Sequence, residues 1–173
     1  MARDAVWRLL VGDEQLPVLM GVVTATAARK NISRIARETM KALVIPNFAA
    51  DQRPGDGTKP FMVIRWGADE YDPAFLVGFR RFDLYVHIPW DASTDFNRID
   101  LILNRCDKIF ESANAVEQSP AGDEYVLHFI EREGRSGDFK DDGYETICRY
   151  ASYKALSSKA YQVESAIGGS KRL

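Results

Sequence analysis

The segment from Phe79 to Trp90 constrains the fold of this chain most strongly. Successive side chains of a β-strand point to opposite faces of the sheet, so a strand with one covered face shows alternating apolar and polar residues. Here Phe82, Leu84, Val86 and Ile88 alternate with Arg81, Asp83, Tyr85 and His87. This pattern predicts a strand that ends near Pro89 and belongs to an antiparallel sheet with one face on the core.

A long helix is predicted directly after this strand. Phe96, Ile99, Leu103, Cys106, Phe110 and Ala113 recur at steps of three and four residues, which is the spacing of one helical face. Ser93 or Thr94 is expected to cap this helix, with Asp95 in its first turn. We expect Cys106 and Phe110 to be buried against the strand face that carries Leu84 and Val86.

Three further strands and two shorter helices complete the predicted domain. Residues 61–66 form an apolar run, and residues 124–131 and 144–155 are predicted as strands. Tyr125, Leu127 and Phe129 are expected on one face. Helices are predicted from Asp4 to Gly12 and from a cap at Asn31 up to Pro46.

The elements together predict one α+β domain over residues 1–156. Its mainly antiparallel sheet, of four strands or slightly more, packs on the long helix, and further helices lie at the N-terminus. The apolar pattern decays after Leu156, so residues 157–173 are expected to form a flexible C-terminal tail.

The composition fits such a domain and excludes some functions. A chain of 173 residues with 46% hydrophobic residues can bury a core without disulfides or metals. A net charge of -2 argues against a dedicated nucleic-acid coat. Cys106 and Cys148 lack metal-site spacing and are expected to be buried, reduced thiols. We see neither a secretory signal nor a membrane span, which favours folding in the cytoplasm.

Candidate catalytic residues do not converge in the sequence. His87 and His128 both lie in predicted strands, and no nucleophile or metal motif accompanies them. Asp83 is more simply explained as the cross-strand partner of an arginine than as a nuclease carboxylate. We therefore expect no enzyme activity, no cofactor and no metal.

Two charged clusters are candidate contact sites. Asp138, Asp141 and Asp142 lie in the polar segment 134–143, which is predicted to be a long hairpin tip. They could hold a cation, but the EF-hand pattern is absent, and a tip that contacts another protein is the favoured interpretation.

The second cluster is basic. Arg34, Arg37 and Lys41 share one face of the second predicted helix. A solvated face, a subunit contact and a nucleic-acid contact all remain open. A platform for stacking single strands is disfavoured, because Phe48 is the only aromatic residue nearby.

Several segments, in order, resemble the tail terminator proteins of long-tailed (siphovirus-type) bacteriophages. They are DAVWRLL near the N-terminus, FAADQRPGDGTKPFMVIRWG, FRRFDLYVHIPW followed by DASTDFNRIDLILNRCDKIFE, and GRSGDFKDDGYETICRYASYKAL. The resemblance covers residues 4–12 and 46–156. Residues 22–45 depart from it, and their basic helix has the character of an insertion.

This resemblance implies a structural virion protein at the head-proximal end of the tail. Such a protein assembles in the host cytoplasm into a ring, usually a hexamer, which caps the tail tube protein and ends tube polymerisation. The ring also provides the surface for head-tail joining to a connector or neck protein. Genome DNA passes through the ring without tight binding, and no membrane or cofactor is implied.

Two other functions remain open at this stage. The chain could be a different neck or head-tail connector ring protein of the same virion, which would bind the portal side. It could also be a cytoplasmic nucleic-acid-binding protein or enzyme, for which the sequence offers the basic helix alone.

Overall fold

The computed structural model describes residues 2–22, 33–46, 54, 57–72, 77–114 and 125–159. Four helices and six strands lie in this part of the chain. In order, they are α1 (Ala2–Gly12), α2 (Leu16–Leu19), α3 (Ser33–Leu43), β1 (Val44–Ile45), β2 (Phe61–Asp72), β3 (Val77–Pro89), α4 (Phe96–Asn114), β4 (Tyr125–Arg135), β5 (Phe139–Asp141) and β6 (Thr146–Lys159).

The strands form one mixed sheet in the order β1-β2-β3-β6-β4, and β5 also pairs with β6. Only the short β1–β2 pair is parallel, and all the other pairs are antiparallel. The predicted α+β fold, a mainly antiparallel sheet against one long helix, is confirmed. The order also places α3 and β1 at one edge of the sheet, and β4 and β5 at the other.

The core lies between α4 and one face of the sheet. The alternation in β3 is confirmed on this face, where Phe82, Leu84, Val86 and Ile88 are all buried. Cys106 is fully buried, and the ring of Phe110 meets Phe82 edge-on with 5.9 Å between ring centroids. Both α4 residues are therefore buried as predicted. Cys106 and Cys148 are both buried free thiols.

The hairpin of β2 and β3 is longer than the sequence indicates. The apolar run ends at Trp66, but β2 continues to Asp72 after a register shift between Trp66 and Asp69. Gly67 lies in this bulge, where a Cβ atom would come within 3.2 Å of the Arg81 carbonyl oxygen. The bulge interrupts the alternation that predicts strands, so the second half of β2 was not predicted.

The predicted buried face of β4 is wrong because of a second bulge. The register shifts between Leu127 and Phe129, and the two buried positions of this region are Leu127 and Ile130 rather than Leu127 and Phe129. The C-terminal boundary was also placed too early, because Ser157 to Lys159 belong to β6 and pair with β4. Residues 160–173 lie outside the described residues.

The helix caps differ from the predicted ones, among which Asp4 was expected to cap the first helix. Asp4 lies inside α1 and pairs with Arg8, one turn later. Asp95 itself caps α4, because its Oδ1 accepts the N–H of Asn97 at 2.9 Å, while the Ser93 hydroxyl accepts the N–H of Asp95. Asn31, the predicted cap of α3, lies outside the described residues.

The C-terminal part of the predicted insertion contributes to the core. Met40 and Leu43 of α3 and Val44 of β1 are buried, so this part is integrated into the domain. In the part of the chain described here, no helix has the length and apolar character needed to cross a membrane.

Replacement of Phe110 tests the joint between α4 and the sheet. Because its ring is 2% exposed, Phe110→Ala should lower the free energy of unfolding by about 3–5 kcal/mol in chemical denaturation. Leu101 is 56% exposed on the same helix, and Leu101→Ala should change stability by less than about 0.5 kcal/mol. A loss below about 1 kcal/mol for Phe110→Ala would contradict this packing.

Candidate functional site

The segment that carries the three predicted contact aspartates is more ordered than a hairpin tip. β4 continues to Arg135, β5 adds a short strand to β6, and a turn over residues 142–145 closes the hairpin. Glu145 adopts a φ of 51° in this turn, in the left-handed region that residues with a Cβ seldom occupy. The sequence did not reveal β5, because three residues are too few for a periodic pattern.

Two of the three aspartates have partners inside the chain. Asp138 pairs with Arg149. Asp141 accepts the backbone N–H groups of Gly143 at 3.0 Å and Tyr144 at 3.2 Å, and so fixes the turn. Asp142 is exposed. Of the three, Asp142 is the residue best placed to meet another protein.

Arg149 belongs to a charged cluster that the sequence did not predict. It lies on the helix-covered face of the sheet and pairs with both Asp138 and Asp100 of α4. The hydrogen bond to Asp100 is the main cause of a raised pKa at Arg149, which stabilises its charged form. No local pattern links residues 49 positions apart, so this pair could not be found from spacing.

Asp107 lies at the centre of the same cluster, two helical turns beyond Asp100 in α4. Its Oδ2 accepts hydrogen bonds from Arg132 and Arg135 at 2.6 Å each, and its Oδ1 accepts the Tyr153 hydroxyl at 2.8 Å. Burial is the main cause of a raised pKa at Tyr153, so the phenol stays a hydrogen-bond donor. These contacts fasten α4 to β4 and β6.

The basic helix is only partly described. Lys41 is exposed, and its ammonium lies 2.8 Å from Glu38 within α3. Residues 34 and 37 lie in α3, but the side chains of Arg34 and Arg37 are outside the described residues. The positions 34, 37 and 41 are three and four residues apart in the helix, and the shared basic face stays a prediction.

The structure brings together a histidine, a thiol and a carboxylate that are distant in sequence. His87 Nδ1 lies 2.9 Å from the Thr146 hydroxyl and 4.0 Å from Asp141 Oδ2, and Nε2 lies 3.7 Å from Cys148 Sγ. The imidazole stacks on Phe61 with 4.7 Å between ring centroids, and Tyr144 meets it edge-on.

This cluster is sealed and poorly suited to nucleophilic catalysis. Cys148 is fully buried, and burial raises the pKa of its thiol, which disfavours the reactive thiolate. Burial also lowers the pKa of His87 to about 4, against the raising effect of Asp141. A neutral imidazole beside a protonated thiol in an apolar setting is a packing arrangement rather than an activated pair.

The second histidine adds no candidate site. His128 lies at the bulge of β4, and its Nε2 is 2.6 Å from the Ser158 hydroxyl. Within the described ranges, no three His, Cys, Asp or Glu side chains come together as metal ligands.

The sheet face turned away from α4 carries a row of paired polar and aromatic groups. Arg81 reaches Glu70 at 2.9 Å and Glu133 at 3.3 Å. The Ser152 hydroxyl donates to Asp83 at 2.6 Å, and Asp83 lies opposite Arg65 in the register of β2 and β3. Asp83 thus has an arginine as its cross-strand neighbour, as expected, and it also accepts the hydrogen bond of a serine hydroxyl.

A groove of about 390 Å³ lies between α1 and α4. Its floor is apolar, with Ala5, Leu9 and Ile109, and the ion pair of Arg105 with Asp13 at 2.5 Å lies at its wall. The guanidinium and carboxylate satisfy each other there, so the groove offers shape but no convergent reactive groups.

Comparison with known proteins finds no family model that matches the chain and no curated protein that matches it.

The carboxylate of Asp107 should matter far more than a carboxylate on the surface. Asp107→Ala leaves two arginines and a buried tyrosine hydroxyl without their acceptor, so it should lower the free energy of unfolding by about 2–4 kcal/mol. Asp4→Ala removes a solvent-exposed pair within one helix and should cost less than about 1 kcal/mol. Equal losses for the two variants in urea denaturation would refute a fastening role for Asp107.

The buried imidazole predicts a specific dependence of stability on pH. His87 has a pKa of about 4 when folded against 6.5 for the free side chain, so the unfolded chain binds the extra proton between these values. Its stabilising effect is complete above pH 6.5 and decreases as the pH falls toward 4.

Between about pH 7.5 and pH 5, this one group should cost about 2 kcal/mol of stability. In His87→Phe, which keeps a ring against Phe61, the loss over that interval should be smaller by this amount. Urea denaturation of both proteins at the two pH values measures this loss of stability. An equal loss in His87→Phe and in the unaltered chain would show that His87 does not titrate as its burial requires.

Proposed function

We propose that this chain is a non-enzymatic structural protein of a long-tailed phage virion, a tail terminator. In this role it forms a homo-oligomeric ring, a hexamer, on the end of the tail tube. The ring stops tube polymerisation and offers a surface for head-tail joining. The chain acts through contacts of its surface with other proteins, and no cofactor takes part.

The observation that carries the proposal is that the resembling segments form the strands and the long helix of one sheet-and-helix unit, in chain order. The apolar end of the segment FAADQRPGDGTKPFMVIRWG forms the first half of β2, and the next two segments contain most of β3 and most of α4. The last segment contains β5, the 142–145 turn and most of β6. They pack as one sheet and helix, as a shared fold would require.

The chemistry of the interior also supports a structural role. The cluster of His87, Cys148 and Asp141 combines the residue types of a catalytic triad, yet its thiol is fully buried and its imidazole is held neutral. The charged cluster around Asp107 is saturated by its own arginines. Both clusters serve packing, which favours a protein that works through its surfaces.

Assembly on tail tubes tests this proposal directly. Purified tube protein should polymerise into tubes of undefined length, and added chain should bind one end of each tube and halt growth there. Negative-stain electron microscopy would measure tube lengths and end density. We expect shorter tubes as the molar ratio of chain to tube protein rises, with density at one end only.

The destabilised variant Phe110→Ala, used above its unfolding temperature, is a suitable inactive control. Tubes whose ends stay bare and whose lengths are unchanged at saturating chain would contradict the proposal. Binding to a portal or connector assembly but not to tubes would favour the alternative of another neck ring protein.

A further inference from the structure

Two arginines that are far apart in the sequence meet at the ring of Trp66. The Cζ atom of Arg3 in α1 lies 5.6 Å from the ring centroid, and the Cζ atom of Arg80 in β3 lies 5.5 Å from it. The ring packs on Phe82 with 4.9 Å between ring centroids, and its indole N–H donates to the Pro46 carbonyl oxygen at 2.8 Å. Trp66 is therefore a fixed platform that holds two cations near each other.

The described residues compensate only part of this charge. Asp69 pairs with Arg80 at 2.7 Å, but the Asp69 side chain is 59% exposed whereas the Arg80 side chain is 15% exposed. Asp4, which follows Arg3 in α1, pairs with Arg8. No carboxylate of the described residues forms an ion pair with Arg3. In this part of the chain, the surroundings of Trp66 thus carry more positive than negative charge.

The lack of a carboxylate sets Arg3 apart from most other arginines of the described residues. Those that pair with a carboxylate, besides Arg80, are Arg8, Arg81, Arg105, Arg132, Arg135 and Arg149. These clusters are complete without a ligand, whereas the guanidinium of Arg3 has the Trp66 ring beside it and no acid.

The donors of the two arginines point to the same deficit. The Nε atoms of Arg3 and Arg80 are both buried and have no hydrogen-bond acceptor. The Nε atom of Arg135 is also unpaired, but the same guanidinium donates to Asp107 and Asn104. Buried donors in native proteins nearly always find an acceptor. Two unpaired donors at one aromatic ring therefore indicate an acceptor that does not come from these residues.

The pKa of Arg80 shows that its charge is incompletely compensated. Burial is the main cause of its lowered pKa, the Asp69 carboxylate opposes this effect, and the Arg3 guanidinium adds to it. A guanidinium keeps its proton at ordinary pH, so the loss of a proton does not relieve this cost. A negative charge added near the two arginines does relieve it.

The surface beside Arg3 has room for a small ligand. A cavity of about 310 Å³ is lined by Arg3, Asp4, Trp7 and Pro46, which is at the small end of the range for ligand pockets. The Trp7 indole N–H donates to the Val44 carbonyl oxygen at 2.9 Å, so this wall is fixed. The Asp4 carboxylate at the cavity is already neutralised by Arg8.

We propose that Arg3 and Arg80 form a binding site for an oxyanion, a phosphate or carboxylate group, beside the Trp66 ring. A guanidinium presents a planar fork of donors that matches two oxygens of such a group, and these charged hydrogen bonds are strong. The anion accepts bonds from the unpaired donors and neutralises the excess charge. A dissolved anion and an acidic side chain of another protein both offer this chemistry. Such a site does not depend on ring formation.

Thermal unfolding of the full-length chain in inorganic phosphate tests the site. A ligand that binds only the folded state raises the melting temperature. Compared with sodium chloride at equal ionic strength, phosphate at about ten times its dissociation constant should raise it by about 3–5 °C. Arg3→Gln and Arg80→Gln should each weaken binding at least about tenfold, which reduces the shift at the same concentration to about 1 °C. Each shift is measured within one protein, so a lower stability of a variant does not enter it.

Arg81→Gln is the matched control. Arg81 follows Arg80 in β3 but lies on the opposite face of the sheet, where it pairs with Glu70 and Glu133. This variant removes the same charge and should keep the full phosphate shift. Phosphorus NMR gives a direct reading of binding. The phosphate signal should broaden with the unaltered chain and with Arg81→Gln, and should stay narrow with Arg3→Gln.

Acetate in place of phosphate separates the two sources of the anion. A larger shift with acetate assigns the site to an acidic side chain of another protein, and a larger shift with phosphate assigns it to a dissolved phosphate. Either result supports the site if Arg3→Gln and Arg80→Gln reduce the shift. Equal shifts in the unaltered chain and all three variants would show a general salt effect and overturn the proposal. The absence of a shift with both anions in the unaltered chain would overturn it as well.

Discussion

The attachment of α4 to the sheet is the interaction on which the rest of this structure depends. Its apolar half is the contact of Phe110 with Phe82 and Tyr153. Its polar half is Asp107, which receives three hydrogen bonds from β4 and β6. An apolar stripe alone would let a helix slide or rotate on a sheet, whereas directional bonds at the margin of the stripe fix its position.

That fixed position also determines where β5 lies. Asp100 of α4 and Asp138 both bind Arg149, so the helix, β6 and the start of β5 are tied at one residue. The turn after β5 then places Tyr144 over Phe61 and His87 on the opposite face. The core under α4 and the turn after β5 are therefore held by connected contacts.

The sequence predicted the parts of this fold that depend on periodicity. The alternation in β3 and the stripe of α4 identified the sheet, its covered face and the burial of Cys106 and Phe110. Prediction from the sequence failed where a single residue breaks the alternation, at Gly67 and His128. A bulge there shifts every later side chain to the other face of the sheet. Prediction also failed for β5, which is too short to show a pattern.

The site residues show the same limit. Asp138, Asp141 and Asp142 were grouped because they are close in sequence, yet the first two have partners in the chain that spacing does not reveal. Arg149 and Asp107 were overlooked because their partners are long-range. The cluster of His87, Cys148 and Asp141 has the composition of a reactive site, but its burial disfavours the charged imidazole and the reactive thiolate. The function is accordingly proposed to lie in the surfaces of the domain.

Electron cryomicroscopy of the chain bound to the end of a tail tube tests the terminator account most directly. The account predicts a closed six-fold ring, coaxial with the tube and one subunit thick, that is absent from the opposite end of the same tube. Isolated monomers or two-fold dimers bound along the side of the tube, or bare tube ends at saturating chain, would contradict it.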